Sequence, residues 1–331
     1  MIITRTPFRV SFFGGGTDYP GWFRENGGKV LATTIDKYCY ISVRELPPFF
    51  EHKTRIVYSA IESVNHTDEI AHPAVKATLK YHKCTKGLEI HHDGDLPAKS
   101  GLGSSSSFTV GLVHALRALE GKISSKDQLA KDAIDIEQNY IGENVGSQDQ
   151  ISAAYGGFNK IEFHQNGTFD VEPIILQDTR IQELSSHLMM FFTGFTRFAS
   201  QIAGSQIQNI KQKSDELIKM GEMVDHAINI LHNDQISIEE FGELLDTNWI
   251  YKRSLSDLVS TAEIDKIYSN AKKAGAIGGK ILGAGGGGFI MFFVSPKRQE
   301  SVRKALNDLI YVPFKFDDSG SRIVLYQPSG F

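Results

Sequence analysis

The chain has 331 residues, 41% of them hydrophobic, so it can bury one or two cores, and its length predicts two domains. Thirty-nine acidic against 35 basic residues leave a net charge of −4 with no basic stripe, which argues against a nucleic-acid partner. No apolar run reaches the length of a membrane span, and MIITRTPFRV lacks the basic start and apolar core of a signal peptide. The expectation is a soluble cytoplasmic protein with no membrane partner, whose only cysteines, Cys39 and Cys84, are buried reduced thiols.

Strand-like runs dominate the first half, at Ile2 to Phe13, Lys29 to Val43, Arg55 to Tyr58, Leu88 to His92 and Phe158 to Phe163. Two helices are predicted among them. One opens on the serines at 104 to 107, carries Phe108, Leu112, Ala115, Leu116 and Leu119 on one face, and stops at Gly121. The other begins near Ser125 and includes Glu137. Beyond about residue 180 helical periodicity takes over: one long helix over Ile202 to Leu231, then Ile238 to Tyr251 and Thr261 to Ala274. Strands are expected there at Leu188 to Phe192, Lys280 to Leu282, Phe289 to Val294 and Arg322 to Tyr326. The change of pattern divides the chain into 1–183 and 184–331, two α+β domains with a cleft between them.

The segment Asp95 to Phe108, DLPAKSGLGSSSSF, sets a small-residue loop against the start of the first helix. Gly101 and Gly103 remove side chains that would hold an anion away from the backbone, and Ser104 to Ser107 add hydroxyls beside the free amides of a first helical turn. Those amides and the helix dipole favour a polyphosphate. The segment is no Walker A loop, because no Lys precedes the hydroxyl residues, and Gly14, Gly15 and Gly16 lack the spacing of a dinucleotide fingerprint.

Pro97 to Ser105 resemble the PxxxGLGSS motif of the galactokinase, homoserine kinase, mevalonate kinase and phosphomevalonate kinase superfamily, the GHMP kinases. TRTPFRVSFFGGGTDYPGWF is similar to the first motif of that family and GGKILGAGGGGFIMFF to its third, so the resemblance spans the chain in order. Within the superfamily, GGGTDYP and GSQDQISAAYGGFN look most like the D-glycero-D-manno-heptose 7-phosphate kinases, with fucokinases and galactokinases as near relatives. The resemblance implies a ribosomal S5-like N-terminal domain, a ferredoxin-like C-terminal domain and an active site between them. It also implies ATP and magnesium as cofactors, and phosphorylation of the anomeric hydroxyl of a sugar phosphate by a monomer or homodimer.

The family pattern assigns residues. Pro97, Lys99, Ser100, Gly101, Leu102, Gly103, Ser104, Ser105 and Ser106 would hold the nucleotide, with Ser105 and Glu137 on the magnesium and Glu143 as the alternative ligand. Asp149 would face the acceptor hydroxyl, and Arg9 would orient that carboxylate, with Arg5 as its competitor on the same strand face. Gly14, Gly15, Gly16, Thr17 and Asp18 would contact the sugar, with Gly285 and Gly286 approaching from the other domain. Gly15 and Gly16 stand where galactokinases carry Glu and His, which clears bulk and negative charge for a longer, phosphorylated sugar. A substrate phosphate calls for Lys or Arg; Lys29 leads, with Arg24, Arg197 and Lys280 behind it.

Overall fold

The computed structural model describes residues 1–98, 100–194 and 199–328, so Lys99 and Arg197 lie outside the described residues. Its strands are β1 (Ile2–Phe13), β2 (Gly28–Glu45), β3 (Thr54–Val57), β4 (Ile61–Val64), β5 (Leu88–Gly94), β6 (Phe158–Phe163), β7 (Phe169–Pro173), β8 (Leu188–Phe192), β9 (Ala276–Ile281), β10 (Phe289–Val294), β11 (Ile310–Tyr311), β12 (Phe316–Asp317) and β13 (Arg322–Tyr326). The helices are α1 (Pro20–Asn26), α2 (Pro73–Tyr81), α3 (Ser104–Leu119), α4 (Lys126–Asp135), α5 (Gln148–Tyr155), α6 (Asp178–Ser186), α7 (Ala199–Asn209), α8 (Ser214–His232), α9 (Glu239–Ser254), α10 (Ala262–Ala274) and α11 (Gln299–Ala305).

Two sheets organise these elements. The larger runs β13-β1-β2-β5-β3-β4, with β6 and β12 also paired to β2 and β7 to β6; the smaller, all antiparallel, runs β11-β8-β10-β9. From Thr6 onward β1 is buried at every position, against the alternation of a half-exposed strand. The reason is packing from both halves of the chain: α3 and α5 meet β1 from one, α8 and α9 from the other. At its end Phe12 meets Phe158 and Phe241 edge-on, with ring centroids 5.7 and 5.5 Å apart, and Phe13 meets Phe241 at 5.1 Å. One core therefore crosses between the two halves beside the glycine run 14–16.

Four sequence expectations change. The long helix over 202–231 is two, α7 and α8: Ile210 is buried, Lys213 leaves helical geometry, and Asn209 Nδ2 donates to Leu255 O at 2.9 Å. Glu137 lies in a π-helical turn, Ile136–Ile141, that continues α4, a distortion often found where a side chain is re-aimed for function. The division at 183/184 does not hold for the sheets, since β12 and β13 return to the larger one, β13 pairing with β1 and β12 with β2. Both cysteines are free as expected, but only Cys39 is buried.

Candidate active site

Arg9 ties three elements together. Its backbone N–H donates to Leu102 O at 3.0 Å, its Nη1 donates to Gly101 O at 2.8 Å, and its Nε and Nη2 donate to Asp149 Oδ1 and Oδ2 at 2.8 and 2.7 Å. This fork-on-carboxylate geometry fixes direction as well as distance. The Arg9 side chain is 4% exposed and that of Asp149 26%, so the cation is the buried member and the carboxylate the partly exposed one. Asp149 also sits in the first turn of α5, where the helix dipole favours its charge. Arg5 is taken elsewhere, over the Tyr38 ring at 4.3 Å.

The glycine-serine loop passes directly over this pair. Gly103, with φ 72°, is the left-handed N-cap of α3, and a Cβ there would lie 3.3 Å from Asp149 Oδ2 and 3.4 Å from Arg9 Cγ. Glycine is needed both for the backbone angle and for the approach. Pro97 is exposed before the loop; Ser100 and Leu102 are buried and hold it in place through Ser100 O, which accepts from Phe289 N at 3.0 Å, and Leu102 O. Of the four serines, Ser104 and Ser105 are the more accessible, beside the first amides of α3. Ser107 turns its hydroxyl to Pro7 O at 2.8 Å.

Ser106, rather than Ser105, reaches Glu137. Its Oγ donates to Glu137 Oε2 at 2.8 Å, Thr109 Oγ1 donates to Oε1 at 2.8 Å, and Gln150 Nε2 completes the set. Burial pushes the Glu137 carboxyl up to about 7, with those donors opposing it and nearby Glu143 adding to it. Among the described residues no cation pairs with Glu137, so its ionised form is a buried charge supported by neutral donors alone. A divalent cation fits that need. No group of three or more acidic, His or Cys side chains among the described residues forms a cage, which suits magnesium, an ion that takes one or two carboxylates and completes its shell with phosphate oxygens and water.

The third glycine run meets the first loop. A Cβ on Gly283 would come within 2.6 Å of Gly101 Cα, and one on Gly288 within 2.2 Å of Ser100 O, so these backbones pack without side chains between them. Gly285 and Gly286 sit farther along, against Val259, with Gly286 N donating to Val259 O at 2.9 Å. Two lysines that carry no carboxylate partner among the described residues underlie this junction. Lys252 donates to Ile281 O at 3.1 Å and to Gly283 O, and Lys280 donates to Phe12 O at 2.8 Å. Burial lowers the Lys252 ammonium to about 7, Arg9 adding to the effect while Asp18 and Asp149 oppose it, and burial takes Lys280 well below its ordinary range. Lys252 was not among the sequence expectations; its signal was the spacing to Asn248, four residues earlier and also buried on α9.

In the first glycine turn, Asp18 is buried, its Oδ1 accepting from Gly16 N at 2.9 Å and its Oδ2 from Gln148 N at 3.4 Å, and desolvation raises its carboxyl. Thr17 is committed to the turn: its Oγ1 lies 2.8 Å from Gly14 O and 2.9 Å from Lys29 O, and accepts from Lys29 N at 3.1 Å. Lys29 forms an ion pair with Asp225 of α8. Gly14 packs on the Lys29 carbonyl and Gly16 on Leu217, while a Cβ on Gly15 would make ordinary contacts with Gln148 Nε2 at 3.8 Å and Ser11 Oγ at 3.9 Å. The structure thus joins Arg9, Asp149, Gly103, Ser106 and Glu137 in one site, lays Gly283 on it, and leaves Arg24 on the surface near Gly167.

Residues 69–157 match the model of the GHMP kinases N terminal domain and residues 229–311 that of the GHMP kinases C terminal. The chain is 31% identical over 328 residues to the D-glycero-alpha-D-manno-heptose 7-phosphate kinase of Campylobacter jejuni, covering 92% of this chain and 93% of that one. It is 26% identical over 337 residues to the galactokinase of Thermosipho africanus, covering 94% of each. A solved structure of a D-glycero-D-manno-heptose 1-phosphate kinase from Bacteroides thetaiotaomicron superposes with a TM-score of 0.79 at 25% identity, over 97% of this chain and 98% of that one.

Proposed function

We propose that this chain, which belongs to the GHMP kinases and is an ATP-dependent sugar kinase of that family, phosphorylates the anomeric hydroxyl of D-glycero-D-manno-heptose 7-phosphate to give the 1,7-bisphosphate. The observation that carries the reading is the Arg9–Asp149 pair lying under Gly103, which sets a partly open, oriented carboxylate against a loop built for phosphate. The 31% relative, whose name specifies a heptose 7-phosphate, supports the acceptor.

In this reading the backbone amides of the 101–106 loop and the start of α3 hold the triphosphate, and Glu137 with Ser106 would hold magnesium. The ion, when bound, neutralises phosphate charge and polarises the transferring group. Asp149 accepts the proton of the acceptor hydroxyl as its oxygen forms the new P–O bond, the bond to the β-phosphate oxygen breaks, and ADP leaves. Arg9 keeps the carboxylate aligned and sets positive charge beside the phosphoryl path. Such chemistry is chiefly positioning and charge stabilisation, so few residues suffice. The product fits nucleotide-activated heptose synthesis for surface glycans.

The test is the purified protein with magnesium and ATP against free sugars and sugar phosphates, following ADP release and the phosphorus NMR of the product. The expected result is a new anomeric phosphate on the heptose 7-phosphate. Free fucose or galactose turning over with higher kcat/KM replaces the acceptor with one of those sugars, and no turnover with any sugar removes the reading.

A further inference from the structure

The phosphate loop and the third glycine run meet backbone to backbone. A Cβ on Gly101 would lie 2.4 Å from Leu282 O, one on Gly283 2.6 Å from Gly101 Cα and one on Gly288 2.2 Å from Ser100 O. Glycine permits this approach and supplies no side chains to lock it, so the contact has to be held from outside. Among the described residues one backbone hydrogen bond crosses it, from Phe289 N to Ser100 O at 3.0 Å. Farther along the run, Gln206 Nε2 donates to Ala284 O at 2.7 Å and Gly286 N to Val259 O at 2.9 Å. At the end that lies on Gly101 the fastening is Lys252, through the carbonyls of Ile281 and Gly283.

Lys252 is 5% exposed on α9, one turn after Asn248, whose Nδ2 donates to Phe12 O of β1 at 3.4 Å, so this face of the helix lies on the seam between the two halves of the chain. A buried ammonium with no carboxylate partner among the described residues costs stability, and two carbonyl acceptors offset only part of that cost. An apolar side chain of similar length would fill the same volume more cheaply. What it would not do is donate to both carbonyls at once. From those carbonyls the path to the chemistry is short. Gly283 lies on Gly101, and Gly101 O accepts from Arg9 Nη1 at 2.8 Å, on the same guanidinium whose Nε and Nη2 hold Asp149. We infer that Lys252 is a positioning residue for phosphoryl transfer: it fastens the third glycine run against Gly101, and Gly101 in turn sets the Arg9 guanidinium that aims Asp149. This rests on the roles given to Arg9 and Asp149 above and deepens them. Lys252 acts through two backbones, so a shift of the run becomes a misaimed carboxylate.

The experiment measures wild type, Lys252→Met, Arg9→Lys and the double variant with magnesium, ATP and the sugar that the wild type phosphorylates. Lys252→Met should keep its Tm at neutral pH within a few degrees of wild type, because exchanging a buried charge for an apolar side chain of similar volume is often neutral or stabilising. Its kcat should fall about 10- to 100-fold while the KM values for ATP and sugar stay within about threefold, the mark of misplacement rather than lost binding. In the Arg9→Lys background the same change should cost less than about threefold, since the path it acts through is already broken. Amide hydrogen exchange over residues 100–104 of the ligand-free protein should quicken in Lys252→Met, which loss of a distant charge alone would not cause. An undiminished kcat, a full loss repeated on Arg9→Lys, or unchanged exchange over 100–104 overturns the positioning role and leaves the proposed function standing. If Lys252→Met does not fold, Lys252→Gln takes its place, polar but one bond shorter than lysine, with the same expected split and the same overturning results. A wild type inactive on every sugar overturns the proposed function and the part of Lys252 in transfer with it.

Discussion

Glu137 and Asp149 stand twelve residues apart and carry the same charge, yet the fold keeps them in opposite ways. Glu137 is fully buried, held by Ser106, Thr109 and Gln150, with no cation paired to it among the described residues and its carboxyl pushed up to about 7 by desolvation. Asp149 is clamped by both arms of Arg9 and a quarter exposed. The contrast teaches that a carboxylate's work is set by the type of its partners. Glu137 has its hydrogen bonds and lacks a counter-charge among the described residues, which suits it to receive a cation; Asp149 has its counter-charge and stays partly exposed, which suits it to an acceptor proton.

The largest effect expected from breaking this comparison is at Asp149. Asp149→Asn should lower kcat by about 10³-fold, within the range for a lost general base, with the affinity for a non-hydrolysable ATP analogue unchanged by calorimetry. Arg9→Lys should follow at about 10²-fold in kcat, because one ammonium cannot span both carboxylate oxygens and the Gly101 carbonyl. Glu137→Gln should act differently, raising the magnesium concentration for half-maximal rate by about tenfold or more while kcat falls less. If Glu137→Gln instead lowers kcat as Asp149→Asn does and leaves the magnesium titration in place, the two carboxylates do not divide the work in this way.

Local pattern carried much of this. The bounds of β1, β6, β8, β10 and β13 follow directly from apolar runs and their turn residues, because such strands are short, apolar and punctuated. What pattern did not carry was rotational phase and long-range closure. Each helical residue turns about 100°, so whether Ser105 or Ser106 meets Glu137 depends on where Gly103 starts α3 and on the π-helical turn at 136–141, neither of which spacing reveals. Lys252 was hidden for a related reason: a lysine in a helix reads as surface until the carbonyls of Ile281 and Gly283 close around it. The return of β12 and β13 to the larger sheet is a pairing across some 300 residues, beyond any local window.

The smallest expected effect sets Glu137 against Lys252, through stability. The Glu137 carboxyl rises from 4.5 to about 7 on folding, so between those values the folded chain binds more protons than the unfolded one and stability falls as pH rises; above about 7 the loss is complete. Lys252 drops from 10.5 to about 7, so the unfolded chain binds more protons between 7 and 10.5, and stability rises with pH across that window; below about 7 the cost is fully present. Both penalties are thus at or near their greatest around pH 7. Measured as differences in Tm from wild type, the separate contributions of His72, His82, His92 and His114, all lowered by burial, cancel. The Tm of Glu137→Gln relative to wild type should climb by a few degrees from pH 5 to 7 and then level, whereas that of Lys252→Met should be highest below pH 7 and decline toward pH 10, since each tenfold change in proton affinity on folding is worth at most about 1.4 kcal/mol. Magnesium with a non-hydrolysable ATP analogue should shrink the first difference, because a cation at Glu137 favours its ionised form. Flat differences for both variants would mean that the two groups titrate as ordinary solvated side chains, and the contrast between an acid awaiting its counter-charge and one already supplied would lose its physical basis.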